Sequence, residues 1–186
     1  GDGNVMGTIF VDNLEPQSGT SLTLGASGDT VSLTSGAKTS GFGKVGQIVQ
    51  GSASTAVNVT SSSFTDTGLT ATITPTSTSS KVMIHVTQML SSDRDNEDCW
   101  SRLRLVRDGS GLSGLEWSKL EWDEAGGVGA VKAGGLTTFC YLDSPSTTSA
   151  VVYKLQGSAG ASGSNSTARF QMGNESSFIQ LMEILD

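Results

Sequence analysis

Residues 63–75 read Ser-Phe-Thr-Asp-Thr-Gly-Leu-Thr-Ala-Thr-Ile-Thr-Pro. From Leu69 onward, Leu69, Ala71 and Ile73 alternate with Thr70, Thr72 and Thr74, and Pro75 ends the run. Period two over this length marks a strand with one buried and one wet face. The same alternation recurs in both directions. Downstream, residues 81–90 set Val82, Ile84 and Val86 against Met83, His85, Thr87 and Met89. Residues 102–106 set Leu103 and Leu105 against Arg102 and Arg104, and Arg107-Asp108-Gly109 turns the chain. Residues 136–143, 150–156, 167–172 and 177–185 supply four more strand patterns, and residues 44–50 and 56–59 carry weaker ones upstream. Seven or eight strands at this spacing predict a β-sandwich or jelly roll.

The composition agrees. Serine, threonine and 24 glycines dominate the 186 residues, with only 3 prolines and 16% charged residues. Helix formers give way to strand and turn residues, which excludes a helical bundle; without alternating helical segments, a doubly wound α/β enzyme is excluded too. The net charge of −7 argues against a duplex nucleic-acid partner. There is no run of apolar residues long enough for a membrane span. Cys99 and Cys140 both lie in strand-like segments and are read as two buried thiols, a single bridge or a reactive thiol being the alternatives.

The first part of the chain is different. Residues 21–29 (SLTLGASGD) and 30–38 (TVSLTSGAK) form an imperfect repeat, in which Leu22 and Leu24 answer to Val31 and Leu33. So small a strand pair cannot bury its own apolar face. It is expected to be completed by other copies of the chain, which makes Leu22, Leu24, Val31 and Leu33 candidate interface residues. Gly41-Phe42-Gly43 and Gly46 form the hinge. Residues 1–45 are therefore read as an attachment and trimerisation segment with a short β-repeat, and 46–186 as the sandwich knob.

The last strand is apolar on both faces. Ile179, Leu181 and Leu185 lie on one side; Phe178, Met182 and Ile184 lie on the other. An antiparallel strand of this kind needs cover on both sides, and the simplest cover for the second side is another copy. Phe178, Met182 and Ile184 are thus expected at a subunit interface, with Met83 and Met89 joining them if their strand is a neighbour.

Several segments resemble small virion proteins of tailed phages, especially marine ones. The opening TIFVDNLEPQSG, the repeat, the Gly-Phe-Gly hinge and GKVGQIVQ are similar to their N-terminal part. SFTDTGLTATITPTSTSSKVMIHV, RLRLVRDGS, YLDSPSTTSAVVYKLQ and SFIQLMEI are similar to their C-terminal module. The resemblance implies a homotrimeric tail fibre or spike with a jelly-roll tip, made in the bacterial cytoplasm and built into the virion. It implies contact with other virion proteins through the N-terminal segment, and with a host surface glycan or protein receptor through the tip. The alternative it leaves open is a head fibre or a capsid decoration protein. It brings no catalytic residues.

The residues themselves give no sign of an enzyme. His85, the only histidine, stands mid-strand without a local nucleophile or acid. Asp93, Asp95, Asn96, Glu97 and Asp98 crowd one stretch but lack the turn glycine and distal glutamate of a hand-type calcium loop, so they are read as a solvated acidic loop. No cofactor and no metal is expected. The remaining constellation is Leu115-Glu116-Trp117 echoed by Leu120-Glu121-Trp122. Tryptophan rings beside carboxylates suit a sugar platform, and equally suit packing across a boundary. Trp117, Trp122, Glu116 and Glu121 are the candidate receptor contacts, in stretches (91–100 and 113–135) expected to be loops at an exposed end.

Overall fold

The computed structural model describes residues 44–94, 99–122, 131–161 and 166–185 together with the single positions 18, 25 and 28. For residues 94, 113–122, 131, 132 and 161 the description is of the backbone alone. The chain separates into two units, Gly1–Phe42 and Gly43–Asp186. The repeat positions Leu22, Leu24, Val31 and Leu33 lie outside the described residues, as do acidic-loop residues Asp95, Asn96, Glu97 and Asp98.

The second unit is all-β, and every strand pair is antiparallel. Its strands are β1 (Val45–Ala53), β2 (Val57–Val59), β3 (Thr65–Ile73), β4 (Lys81–Arg94) and β5 (Cys99–Arg107), followed by β6 (Ser110–Trp122), β7 (Val131–Asp143), β8 (Val151–Ala161), β9 (Ser166–Phe170) and β10 (Ser177–Ile184). The smaller sheet runs β3-β8-β5-β6. In the larger sheet the long strand β4 is the axis. β7 pairs with it from Val82 to Arg94. Along its opposite edge β10 pairs with Lys81–Thr87 and β9 with Leu90–Arg94, end to end. β1 flanks β10 and β2 flanks β9. The larger sheet thus has four lanes: β1 and β2, β10 and β9, β4, then β7. Among the described residues ten strands stand where seven or eight were expected: β6 lies largely in a stretch read as a loop, and β1 and β2 are two pieces of one lane broken at 54–56.

The two sheets share one core. Val59, Ile84, Val86, Phe170, Ile179 and Leu181 from the larger sheet meet Leu69, Ile73, Leu103, Leu105, Tyr153 and Leu155 from the smaller. Each set occupies alternate positions of its strands, as period two requires. Thr70 and Thr72 are exposed between the buried residues of β3. The β5–β6 hairpin closes through Asp108 and Gly109, with φ 49° and 85°, the left-handed pair of a two-residue hairpin turn.

At Gly51 strand β1 passes close against β3 of the other sheet. A Cβ at this position would fall inside the Thr70 carbonyl, so no side chain fits between β1 and β3. Gly51→Ala is expected to cost about 1–3 kcal/mol through overpacking against backbone, read as a lowered midpoint in urea at unchanged slope.

Two polar clusters tie one end of the sandwich together. Asp143 at the end of β7 is buried; it accepts from the Tyr153 hydroxyl at 2.5 Å and from Arg107 Nη1 at 2.8 and 2.9 Å. This joins the larger sheet to β5 and β8. Burial first, and then the hydrogen bond to Asp143, push the Tyr153 phenol above its ordinary range, so it stays protonated and donates. In the same row of the larger sheet, across Val82, buried Glu183 of β10 accepts from Gln47 Nε2 at 2.7 Å and from the Thr76 N–H and hydroxyl at 2.6 and 2.7 Å. Burial opposes its ionisation, but these bonds outweigh it and hold the carboxyl below the ordinary glutamate value.

Candidate functional site

Of the residues singled out from sequence, Phe178, Met182 and Ile184 lie on β10 of the larger sheet, and Glu116, Trp117, Glu121 and Trp122 lie on β6 of the smaller. Of the stretches expected as loops, residues 113–122 and 131–135 instead belong to the edge strands β6 and β7, and 91–94 and 99–100 belong to β4 and β5. Glycines and charges, which read as loop signals, are tolerated at an edge paired on one side only. In the β5–β6 register Glu116 stands opposite Arg104 and Glu121 opposite Trp100, while Trp117 stands opposite Leu103 and Trp122 opposite Cys99. The glutamates are thus paired with half-buried residues of β5 and the tryptophans with buried ones.

The smaller sheet's outer face is a closed polar network. Asp66, Gln156, Arg104 and Glu116 are in register across all four strands. Asp66 accepts from Lys154 Nζ at 2.7 Å and from Gln156 Nε2 at 2.6 Å, while Arg104 donates to the Gln156 side-chain carbonyl at 2.7 and 2.9 Å and covers the Phe64 ring at 4.3 Å. The hydrogen bond from Lys154, and then that from Gln156, holds the Asp66 carboxyl below its ordinary value. Trp100 lies over Gly160, where any Cβ would strike its ring, with Arg102 5.7 Å from the ring centre.

The larger sheet's outer face is arranged in rows. Ile48, Met182, Met83 and Leu142 are aligned across four strands. The next row is Gln50, Gln180, His85 and Cys140, and the one beyond is Ser52, Phe178, Thr87 and Thr138. The first row is apolar throughout, and its outer members are open to solvent: Ile48 is 61% exposed and Leu142 43%. Ile184 continues the apolar end, beside Lys81 and Val45. Phe178, 39% exposed, stands two rows from Met182, and Leu136, 66% exposed, lies opposite Met89. None of these rows holds a carboxylate, in a chain with net charge −7.

Of the residues expected at a subunit boundary, Met182 and Ile184 sit in the apolar end with Met83 directly opposite Met182. Ile48, Leu142 and Leu136 were not foreseen. The signal for them was the alternation of their strands, but which strands adjoin β10 depends on pairings far apart in sequence.

Between the rows lies a hollow of about 270 Å³, lined by Gln50, His85, Thr87, Phe178 and Gln180 from β1, β4 and β10. Gln180 Nε2 donates to Gln50 Oε1 at 3.0 Å.

Cys99 is buried and Cys140 exposed, and neither is in a disulfide, so the expected pair of buried thiols holds for Cys99 alone. Cys140 is exposed because it shares the outward side of β7 with Leu136 and Leu142. It stands directly across from His85. Asp93 is paired with Arg169 at 2.5 Å. Among the described residues no three of histidine, cysteine, aspartate and glutamate gather to hold a metal. Among them also, no helix is long and apolar enough to cross a membrane. Comparison with known protein families and with curated proteins finds no match for the chain.

Proposed function

We propose that this chain is a structural protein of a tailed-phage virion, a homotrimer whose sandwich binds the host surface, with a glycan as receptor. The observation that carries the reading is the apolar, carboxylate-free row Ile48-Met182-Met83-Leu142 on an outer sheet face. Copies of an acidic chain repel one another, and they approach most favourably where neither presents an acid. Covering Ile48 and Leu142 also removes apolar surface from water, at about 25 cal/mol per Å². The activity is binding rather than chemistry: three weak contacts on one rigid assembly gain strength through effective concentration.

The strand order supports a jelly roll for the knob. Two four-lane sheets face each other, and the chain changes sheet at every connection between lanes except the β5–β6 hairpin. Two interleaved Greek keys run this way. The resemblance of the N-terminal repeat to virion appendages supports the trimer and the attachment role of residues 1–45.

Two tests address the reading. Ile48→Asp with Leu142→Asp places acids on exposed positions that contribute nothing to the core, so the chain is expected to fold yet sediment as a monomer; an assembly that survives both acids contradicts the interface. Quantitative mass spectrometry of purified particles then reads the role. A few trimers per particle is the result expected of a tail fibre. Hundreds of chains would replace it by capsid decoration, and absence from the particle would refute the virion assignment.

A further inference from the structure

The hollow at the centre of the larger sheet's outer face differs chemically from the apolar row beside it. Its walls are one aromatic ring, Phe178, two primary amides, Gln50 and Gln180, the His85 imidazole and the Thr87 hydroxyl. No carboxylate, lysine or arginine lines it. Gln180 spends one N–H on the Gln50 carbonyl oxygen at 3.0 Å. That bond orients both amides and leaves two N–H groups on Gln50, with one N–H and the carbonyl oxygen on Gln180. A ring that offers its face to C–H groups, beside an ordered set of neutral donors and acceptors, matches a pyranose: apolar on one face, hydroxylated around its edge.

We infer that this hollow is a binding subsite for one ring of a neutral glycan. The inference rests on the attachment reading above and names where that contact is made. Phe178 stacks on the sugar; Gln50, Gln180, His85 and Thr87 hydrogen-bond its hydroxyls. Acidic sugars and phosphate are disfavoured, since the hollow has no lysine or arginine to pair with them and the chain carries −7 overall. At about 270 Å³ it takes one ring rather than a chain of them. Gln180 is two residues from Met182 along β10, about 7 Å. The hollow therefore borders the apolar row, and a trimer carries three such hollows.

The test uses the only histidine of the chain. Its imidazole proton signals report on the hollow without assignment of any other residue. The intact chain is titrated with methyl glycosides of glucose, galactose and N-acetylglucosamine, and separately with sialic acid and inorganic phosphate. A saturable shift of the His85 signals with at least one neutral glycoside is expected, weakened about tenfold or more by Phe178→Ala, which removes a partly exposed ring. Gln50→Ala, at an exposed position, is expected to weaken it as well. Silence of His85 with every neutral glycoside overturns the inference. So does a response confined to sialic acid or phosphate, or one indifferent to both variants. Native mass taken on the same samples separates the two proposals: a trimer with a silent His85 rejects the subsite alone, and a monomer with a saturable shift rejects assembly alone.

Discussion

Replacing Glu183 by alanine is expected to lower stability by about 2–4 kcal/mol, because it strands three donors from two residues at once. Gln47 Nε2 and the Thr76 N–H and hydroxyl all converge on this one buried carboxylate, which ties the end of β10 to β1 and to the segment after β3. Glu183→Gln keeps an acceptor and is expected to lose less. Acid unfolding gives the second readout. The folded-state carboxyl titrates below the ordinary value of 4.5, so the folded chain holds this proton less readily than the unfolded one. Its stabilisation is full above that ordinary value and is lost as pH falls through the lowered one. Glu183→Gln is therefore expected to flatten the acid limb of the stability curve. Unchanged stability in Glu183→Ala, in chemical unfolding at fixed protein concentration, contradicts the role of this cluster.

Asp143→Ala is expected to cost a similar amount, about 2–4 kcal/mol, or several degrees in Tm for a chain of this length. It leaves the fully buried Tyr153 hydroxyl without its acceptor and Arg107 without its ion pair. Asp143→Asn retains an acceptor for the phenol and is expected to recover part of the loss. The pH dependence here runs opposite to that of Glu183. The Tyr153 phenol is raised above its ordinary value of 10.0, so its contribution is full below that value and is lost as pH rises beyond it. Alkaline unfolding is expected to shift to higher pH in Tyr153→Phe, since no buried phenol then has to ionise. An identical alkaline limb in that variant contradicts the assignment.

What could be read from sequence was whatever period two and turn chemistry encode locally. Leu69, Ala71 and Ile73 face the core as their alternation requires, and so do Val82, Ile84 and Val86. Asp108-Gly109 turns the chain where a two-residue hairpin needs left-handed residues. Pairing was not legible. That β9 and β10 lie end to end on one edge of β4 follows from contacts between residues far apart in sequence, such as Leu90 with Phe170 and Lys81 with Ile184. The site depends on those contacts: Met182 was foreseen, but its row-mates Ile48 and Leu142 come from strands the sequence does not connect to it. For the same reason Gln50, Gln180, His85 and Phe178 do not form a motif in sequence, although one hollow gathers them. The tryptophan–glutamate echo was visible because it is local, yet the β5–β6 register pairs its glutamates and tryptophans with different rows.

The homotrimer is the central claim, since both the interface and the avidity of the proposed attachment depend on it. Native mass spectrometry of the intact chain at neutral pH tests it directly. The account predicts one species at three times the 19.1 kDa chain mass, converted to single chains by Ile48→Asp with Leu142→Asp. A single 19.1 kDa species for the unaltered chain, persisting as protein concentration is raised, would contradict it.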